Sequence, residues 1–231
     1  MQEALPPTTT EAKAARSPRA EGVESRQRLL HAALRLFAER GFAKTSIRDI
    51  ALAAQTNVAA ISYYFGDKKQ LYRCAFTELM CHSSDGVHPF DQEDMTLAQS
   101  LEALLAEFTE PLKQGELVRL CARLHMREMV EPTGVWAHEI DNGIKPSHVA
   151  LVALLCKQFK LKSADAQMHR LAFSIVGLGV FMLMSRDVVE AVKPELLATP
   201  KAIDQYAASL LQYALAMVAS EAARRGISIA L

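Results

Sequence analysis

Thr45 to Leu71, TSIRDIALAAQTNVAAISYYFGDKKQL, decides how the rest of the chain is read. Ile47, Ile50, Ala51 and Ala54 recur at three- and four-residue spacing, so a short helix turns one apolar face inward. Gln55, Thr56 and Asn57 interrupt that face, and Val58 and Ile61 resume it. Ala59, Ala60 and Ser62 keep the other side of the second helix small. Two helices joined by so tight a turn suggest a helix-turn-helix, with the second helix the one that enters a DNA major groove. Pattern alone leaves a plain helical packing unit open, because short amphipathic helices are common in all-helical proteins.

Charge favours the first of these readings. Residues 22–73 hold nine Lys or Arg and four Asp or Glu, a net of +5, whereas residues 74–231 hold fourteen and nineteen, a net of −5. The net charge of zero over 231 residues therefore conceals a basic front and an acidic remainder. A small domain that meets phosphates, followed by one that does not, has this asymmetry.

Working outward, residues 1–21 are rich in Ala, Thr and Pro and read as a disordered arm. A long helix is predicted from about Val23 to Arg40, with Leu30, Ala33, Leu34 and Phe37 inward and Gly41 ending it. Phe42 closes the small core from the loop. Thr45 or Ser46 caps the next helix, Asp49 sits in its first turn, and Asn57 caps the second. Tyr63, Tyr64 and Phe65 cannot all face one core, so at least one ring is expected outside. Gly66 breaks that helix and Asp67 caps the next, whose start carries Lys68 and Lys69 and suits a DNA phosphate. This helix is predicted to continue to about Cys81, linking a small domain over 22–70 to a larger one over 71–231.

Ser83 to Asp94 reads as a loop. Further helices are predicted at about Met95–Phe108, Gly115–Val130, Val135–Phe159, Ser163–Ser185 and Pro200–Arg225, and no segment alternates like a strand. The fold class is therefore all-α: an N-terminal three-helix DNA-binding unit followed by a larger helical ligand-binding and dimerisation domain. The longest nearly uninterrupted apolar run, Leu171 to Met184, is 14 residues and too short to span a membrane, and no export signal is visible, so a cytoplasmic protein is expected. The four cysteines are scattered and expected to be reduced.

The stretch RQRLLHAALRLFAERGFAKTSIRDIALAAQTNVAAISYYFGDKKQLY resembles the N-terminal domain of TetR-type transcriptional regulators. Phe37, Gly41, Phe42, Thr45, Ser46, Ile50, Ala51, Tyr63, Phe65, Lys68 and Leu71 fit that pattern. Three places depart from it: Ala54-Gln55-Thr56-Asn57 replaces the usual Ala-Gly-Val-Ser turn, Ser62 stands where Tyr is frequent, and Tyr64 where His often stands. The run NVAAISYYFGDK, with HMREMVEPTGVW at 125–136, resembles the subgroup whose C-terminal domain is CecR-like and which is associated with efflux and antibiotic sensitivity.

The resemblance implies a homodimeric repressor on double-stranded operator DNA. Thr45, Ser46, Tyr64 and Lys68 would contact phosphates, and Asn57, Ala59, Ala60, Ser62 and Tyr63 would lie at or near the base edges. No Arg occurs within 57–64, so readout must use hydroxyls, Asn57 and methyl contacts, with Arg48 nearest for a longer reach. The last two long helices, rich in Ala and including Gly177 and Gly179, are expected to form the dimer interface.

An unidentified small-molecule effector is expected among Phe76, Met80, Phe108, His125, Met129, Trp136, Phe181 and Met182, most of which also read as ordinary core. Cys121 and His125 stand four apart, but a metal site would need further ligands such as Cys156, His138 or His169, so no metal and no cofactor are expected. Catalysis is not expected either: Gly177-x-Gly179 lacks a preceding strand, and the pairs Glu128/Glu131 and Glu139/Asp141 read as polar faces and helix ends. The competing class is a helical interaction adaptor without DNA binding.

Overall fold

A computed structural model describes residues 18–78, 89–92 and 94–229. Eleven α-helices are described: α1 Pro18–Lys44, α2 Ile47–Ala53, α3 Val58–Phe65, α4 Lys68–Thr77, α5 Leu97–Thr109, α6 Glu116–Val130, α7 Val135–Glu139, α8 Lys145–Gln158, α9 Ala166–Met184, α10 Arg186–Val192 and α11 Pro200–Arg225. No strand occurs among the described residues, and the fold is all-α.

Helix α1 begins at Pro18, so residues 18–21 of the expected arm are helical, while residues 1–17 lie outside the described residues. Its ladder breaks at Gly41, whose φ of 80° and ψ of 168° suit glycine and strain any other residue. Ser46 opens α2 with a reciprocal cap: its Oγ accepts from the Asp49 N–H at 3.1 Å, and the Asp49 carboxylate accepts from the Ser46 N–H at 3.4 Å. Asp67 caps α4 by accepting from the Gln70 N–H at 2.7 Å.

The α2–α3 turn uses an uncommon residue. The Thr56 N–H returns to the Ala51 carbonyl at 2.9 Å and the Gln55 N–H to Leu52 at 3.1 Å, which closes α2 in the manner that normally calls for glycine. Gln55 takes the left-handed conformation there, with φ of 52°. Gln55→Gly is accordingly expected to raise the unfolding free energy by about 1 kcal/mol, read as a higher urea midpoint at unchanged slope.

Two apolar cores result. The first gathers Leu29, Leu34 and Phe37 of α1, Ile50 of α2, Ile61 and Phe65 of α3, and Leu71, Tyr72 and Phe76 of α4, and is completed by Cys121 and Leu124 of α6 and Val135 of α7. The second is built from α5, α8, α9 and α11 around Leu101, Leu104, Leu155, Ile175, Met182 and Val218. Helix α6 serves both, since its Val118 lies in the second core. The four N-terminal helices therefore share their core with α6 and α7.

The C-terminal helices differ from expectation in three places. The single helix predicted over 135–159 is two helices joined by a wide π turn at Ile140–Ile144, where Asp141, Asn142 and Gly143 fall, and Pro146 stands in the first turn of α8. Helix α10 was not foreseen, being one short segment after Ser185 with only Val189 buried. Helix α9 has 19 residues and a mean hydropathy of 1.4, so by length and composition it does reach the dimensions of a membrane span, contrary to the 14-residue reading. Here its inner residues, among them Met168, Ala172, Ile175 and Met182, belong to the second core.

Gly179 of α9 faces Phe108 of α5 so closely that a Cβ would stand 2.4 Å from the ring, whereas Gly177 is exposed and meets nothing. The close approach at Gly179 is thus within one chain. Gly179→Ala is expected to cost about 2 kcal/mol through overpacking, measured by urea unfolding beside Gly177→Ala, where the added methyl meets nothing within the chain and helix propensity should raise stability by about 1 kcal/mol.

Candidate nucleic-acid interface

Asn57 opens α3, on whose outward face base contacts are expected. Its side-chain carbonyl accepts from the Ala59 N–H at 2.8 Å and caps α3, which leaves the amide N–H2 to donate. The cap occupies one lone pair of the Asn57 carbonyl and fixes its direction, so the group left wholly free for a groove is the amide N–H2 donor. Beyond it Ala59, Ser62 and Tyr63 are exposed, the Tyr63 ring 82% so. Ala60 is half-buried and packs against the core instead. Tyr64 is half-buried, edge-on to Tyr63 at 4.9 Å, with its hydroxyl beside Gly22 of α1. Phe65 completes the triplet in the core, so the three rings divide into one outside, one at the boundary and one inside.

The flanking groups divide likewise. Arg48 is exposed on α2 and makes no ion pair among the described residues. Lys68 is half-buried, its Nζ 4.3 Å from the centre of the Phe42 ring, so a cation–π contact holds the ammonium beside the first turn of α4. Ser46 is exposed, but its hydroxyl also donates to Asp49 at 2.8 Å; these hydrogen bonds hold the Asp49 carboxyl below its ordinary range. Thr45 corrects a sequence-based expectation. Its side chain is buried and its hydroxyl donates to the Gly41 carbonyl at 2.8 Å, with that of Leu36 at 3.1 Å, so it ties the break in α1 and offers no side-chain contact to a phosphate.

The expected effector residues separate into four groups. Phe76, His125 and Trp136 converge at the junction of α4, α6 and α7, with His125 stacked on Phe76 at 4.0 Å and edge-on to Trp136 at 5.8 Å. Phe108 and Met182 belong to the second core. Met129 and Phe181 are about half exposed and face outward, because their helices bury other faces. Met80 lies outside the described residues. A cleft of about 260 Å³ opens between α4 and the α6–α7 turn, lined by Lys69, Arg73, Gly134 and His138 among others, and none of the eight expected residues lines it. The His and Cys residues weighed as ligands do not assemble: among the described residues no group of three or more His, Cys, Asp or Glu could hold a metal ion.

The residue that sequence reasoning misplaced is Glu128. Expected on a polar face, it is fully buried on α6. Its carboxylate accepts from the Tyr72 hydroxyl of α4 at 2.7 Å, from the Thr133 N–H at 2.8 Å and hydroxyl at 3.0 Å, and from the N–H groups of Gly134, Val135 and Trp136 at 3.1, 3.1 and 3.3 Å. One carboxylate therefore satisfies the start of α7 and ties it to α4. Burial, then the bond to Glu128, pushes the Tyr72 phenol far above its usual range, so it stays protonated and donating. Nearby, Arg127 donates from Nε to the Ala38 carbonyl and from a terminal nitrogen to that of Glu39, both at 2.8 Å, holding the end of α1 on α6. The signal for Glu128 was the stretch 125–136, where a carboxylate precedes Pro132-Thr133-Gly134; the spacing shows a turn but not which side chain closes it.

A capped three-helix head with a small, outward recognition face, fixed through α6 to a larger helical domain, is the architecture of a TetR-type DNA-binding regulator. Residues 29–74 match the family described as "Bacterial regulatory proteins, tetR family", and residues 97–220 match "HTH-type transcriptional dual regulator CecR, C-terminal domain". The second match spans more than half of the chain, and the chain belongs to the TetR family of transcriptional regulators with a CecR-type C-terminal domain. It is 29% identical over 168 residues to the HTH-type transcriptional dual regulator CecR of Shigella flexneri, covering 68% of this chain and 74% of that one. Among solved structures, the SmeT–triclosan complex aligns with a TM-score of 0.61 at 18% identity, over 83% of this chain and 90% of that one. NalD, the secondary repressor of the MexAB-OprM multidrug efflux pump in Pseudomonas aeruginosa, aligns at 0.57 and 17%, over 85% and 96%.

Proposed function

We propose that this chain is a repressor that grips a palindromic operator as a homodimer and releases it when a small molecule enters the C-terminal domain. The observation that carries the reading is the outward face of α3, small at Ala59 and Ser62 and aromatic at Tyr63, standing between the capped starts of α2 and α4. Asn57, Ala59, Ser62 and Tyr63 face the bases, with Ala60 at their margin. Arg48, Ser46, Tyr64 and Lys68 lie along the phosphates. Helices α9 and α11 pair with their copies through outward Phe173, Val180, Phe181 and Tyr213, which are 39–61% exposed in the single chain. The protein acts in the cytoplasm, on the nucleoid when bound.

Release needs a ligand that prefers one position of α4 over another. The Tyr72–Glu128 bond and the Phe76–His125–Trp136 cluster are the contacts through which α6 and α7 bias α4. The CecR and NalD likenesses support efflux or drug-sensitivity genes as the target. A gel-shift titration on the gene's own upstream DNA tests this: a sequence-selective complex of two chains, dissolved by a compound that the regulated genes handle, is expected. A complex that ignores DNA sequence overturns the reading.

A further inference from the structure

Half-buried arginines in this fold are held by oxygen. Among the described residues Arg26 rests on the Glu78 carboxylate, Arg127 on two carbonyls of α1, Arg186 on Glu190 and the Leu112 carbonyl, and Arg225 on Glu221 and Asp165. Arg73 of α4 is also half-buried, and it is the exception. A terminal nitrogen of its guanidinium meets Nε2 of His138 on α7, an imidazole that accepts a hydrogen bond but supplies no negative charge. Arg73 has no ion pair among the described residues.

Arg73 lines the cleft of about 260 Å³ between α4 and the α6–α7 turn. Lys69 lies one turn earlier on the same face of α4, exposed and likewise without an ion pair among the described residues, and His138 comes from the α7 side. Asp67 is the one carboxylate among the lining residues, and its Oδ1 accepts the Gln70 N–H, so the lining keeps a net positive charge. The Gly134 and Val135 N–H groups are already given to Glu128, so side chains and not a helix end make this site. A guanidinium fork beside an ammonium, with no counter-charge, is a donor set that suits phosphate.

We propose that this cleft is an anion site, and that its ligand is a small molecule carrying a terminal phosphate. The site lies between the head and the larger domain and does not depend on the effector reading above. Size limits the ligand: 260 Å³ holds about nine waters, room for a diphosphate or a phosphorylated three-carbon compound. Charge selects it. A terminal phosphate carries roughly two negative charges at neutral pH and matches Arg73 with Lys69, whereas a phosphodiester of duplex DNA carries a single charge and is flanked by sugar on both sides. With the anion in place Arg73 gains the counter-charge that the other half-buried arginines find in oxygen, and α4 is tied to the α6–α7 turn at a second point beside the Tyr72–Glu128 bond.

Isothermal titration of the full chain with sodium pyrophosphate, without DNA and at about 0.15 M chloride, tests the site. Saturable binding of one pyrophosphate per chain is expected, with Kd below about 1 mM. Arg73→Gln should weaken it at least about tenfold and Lys69→Gln about threefold, while Lys157→Gln, exposed on α8 and outside the cleft, leaves it unchanged. Lys69 is exposed, so its substitution reads binding even where Arg73→Gln disturbs the packing of α4 on α7. Absence of saturable binding, or binding by Arg73→Gln and Lys69→Gln equal to that of the parent chain, overturns the proposal. Fluorescence anisotropy on DNA separates the two sources of phosphate: a chain that ignores pyrophosphate but loses DNA affinity on Arg73→Gln uses the cleft for the DNA backbone, and the proposal falls.

Discussion

Replacing Glu128 by alanine is expected to remove about 3–5 kcal/mol of stability, close to the whole margin of many small domains. The loss has two parts. The buried Tyr72 hydroxyl loses its acceptor, and the N–H groups of Thr133, Gly134, Val135 and Trp136 at the start of α7 lose theirs. Each buried donor left alone costs about 1–3 kcal/mol, reduced where water enters the space vacated. Tyr72→Phe removes only the link to α4 and leaves the cap of α7 in place, so about 1–2 kcal/mol is expected. Glu131→Ala, three residues on and exposed, should stay within about 0.5 kcal/mol. Urea unfolding followed by circular dichroism orders the three. A Glu128→Ala loss no larger than that of Glu131→Ala would show that the carboxylate holds nothing together.

The second large effect concerns DNA. Ala59→Glu places a carboxylate on the outward face of α3, where it would meet a negatively charged groove, and operator affinity is expected to fall at least about 100-fold. Stability should not fall with it. Ala59 is exposed in the first turn of α3, where a carboxylate is favoured by the unpaired N–H groups, and Asn57 still caps the helix. Arg48→Ala makes a different change, lowering affinity for all sequences alike and reducing the slope of log affinity against log salt by about 1. Fluorescence anisotropy at several salt concentrations separates the two behaviours. If Ala59→Glu binds operator like the parent chain, α3 does not lie in the groove.

Much of the head is legible in local sequence, because caps and breaks are local. Ser46 with Asp49, Asn57, Asp67 and Gly41 act where their types and spacing predict. The three consecutive aromatics had to divide between inside and outside, and they do. Thr45 shows the limit: a hydroxyl before a helix can cap it, meet a phosphate or turn inward, and only the broken end of α1 selects the last. Glu128 and Glu131 differ by one helical step of three residues, and which is buried depends on α4 arriving with Tyr72, a partner 56 residues away. Size and helical placement do not say where a large side chain ends, so those expected at the effector divide between junction, core and surface.

The central claim is that α3 reads a specific operator. Selection from a randomised DNA library with the full chain, followed by anisotropy on the enriched site at physiological salt, tests it most directly. The account predicts a two-fold symmetric consensus, bound by two chains at least about 1,000-fold more tightly than scrambled DNA, with Ala59→Glu abolishing that preference. Enrichment of no sequence, or a consensus bound equally well by Ala59→Glu, would contradict it.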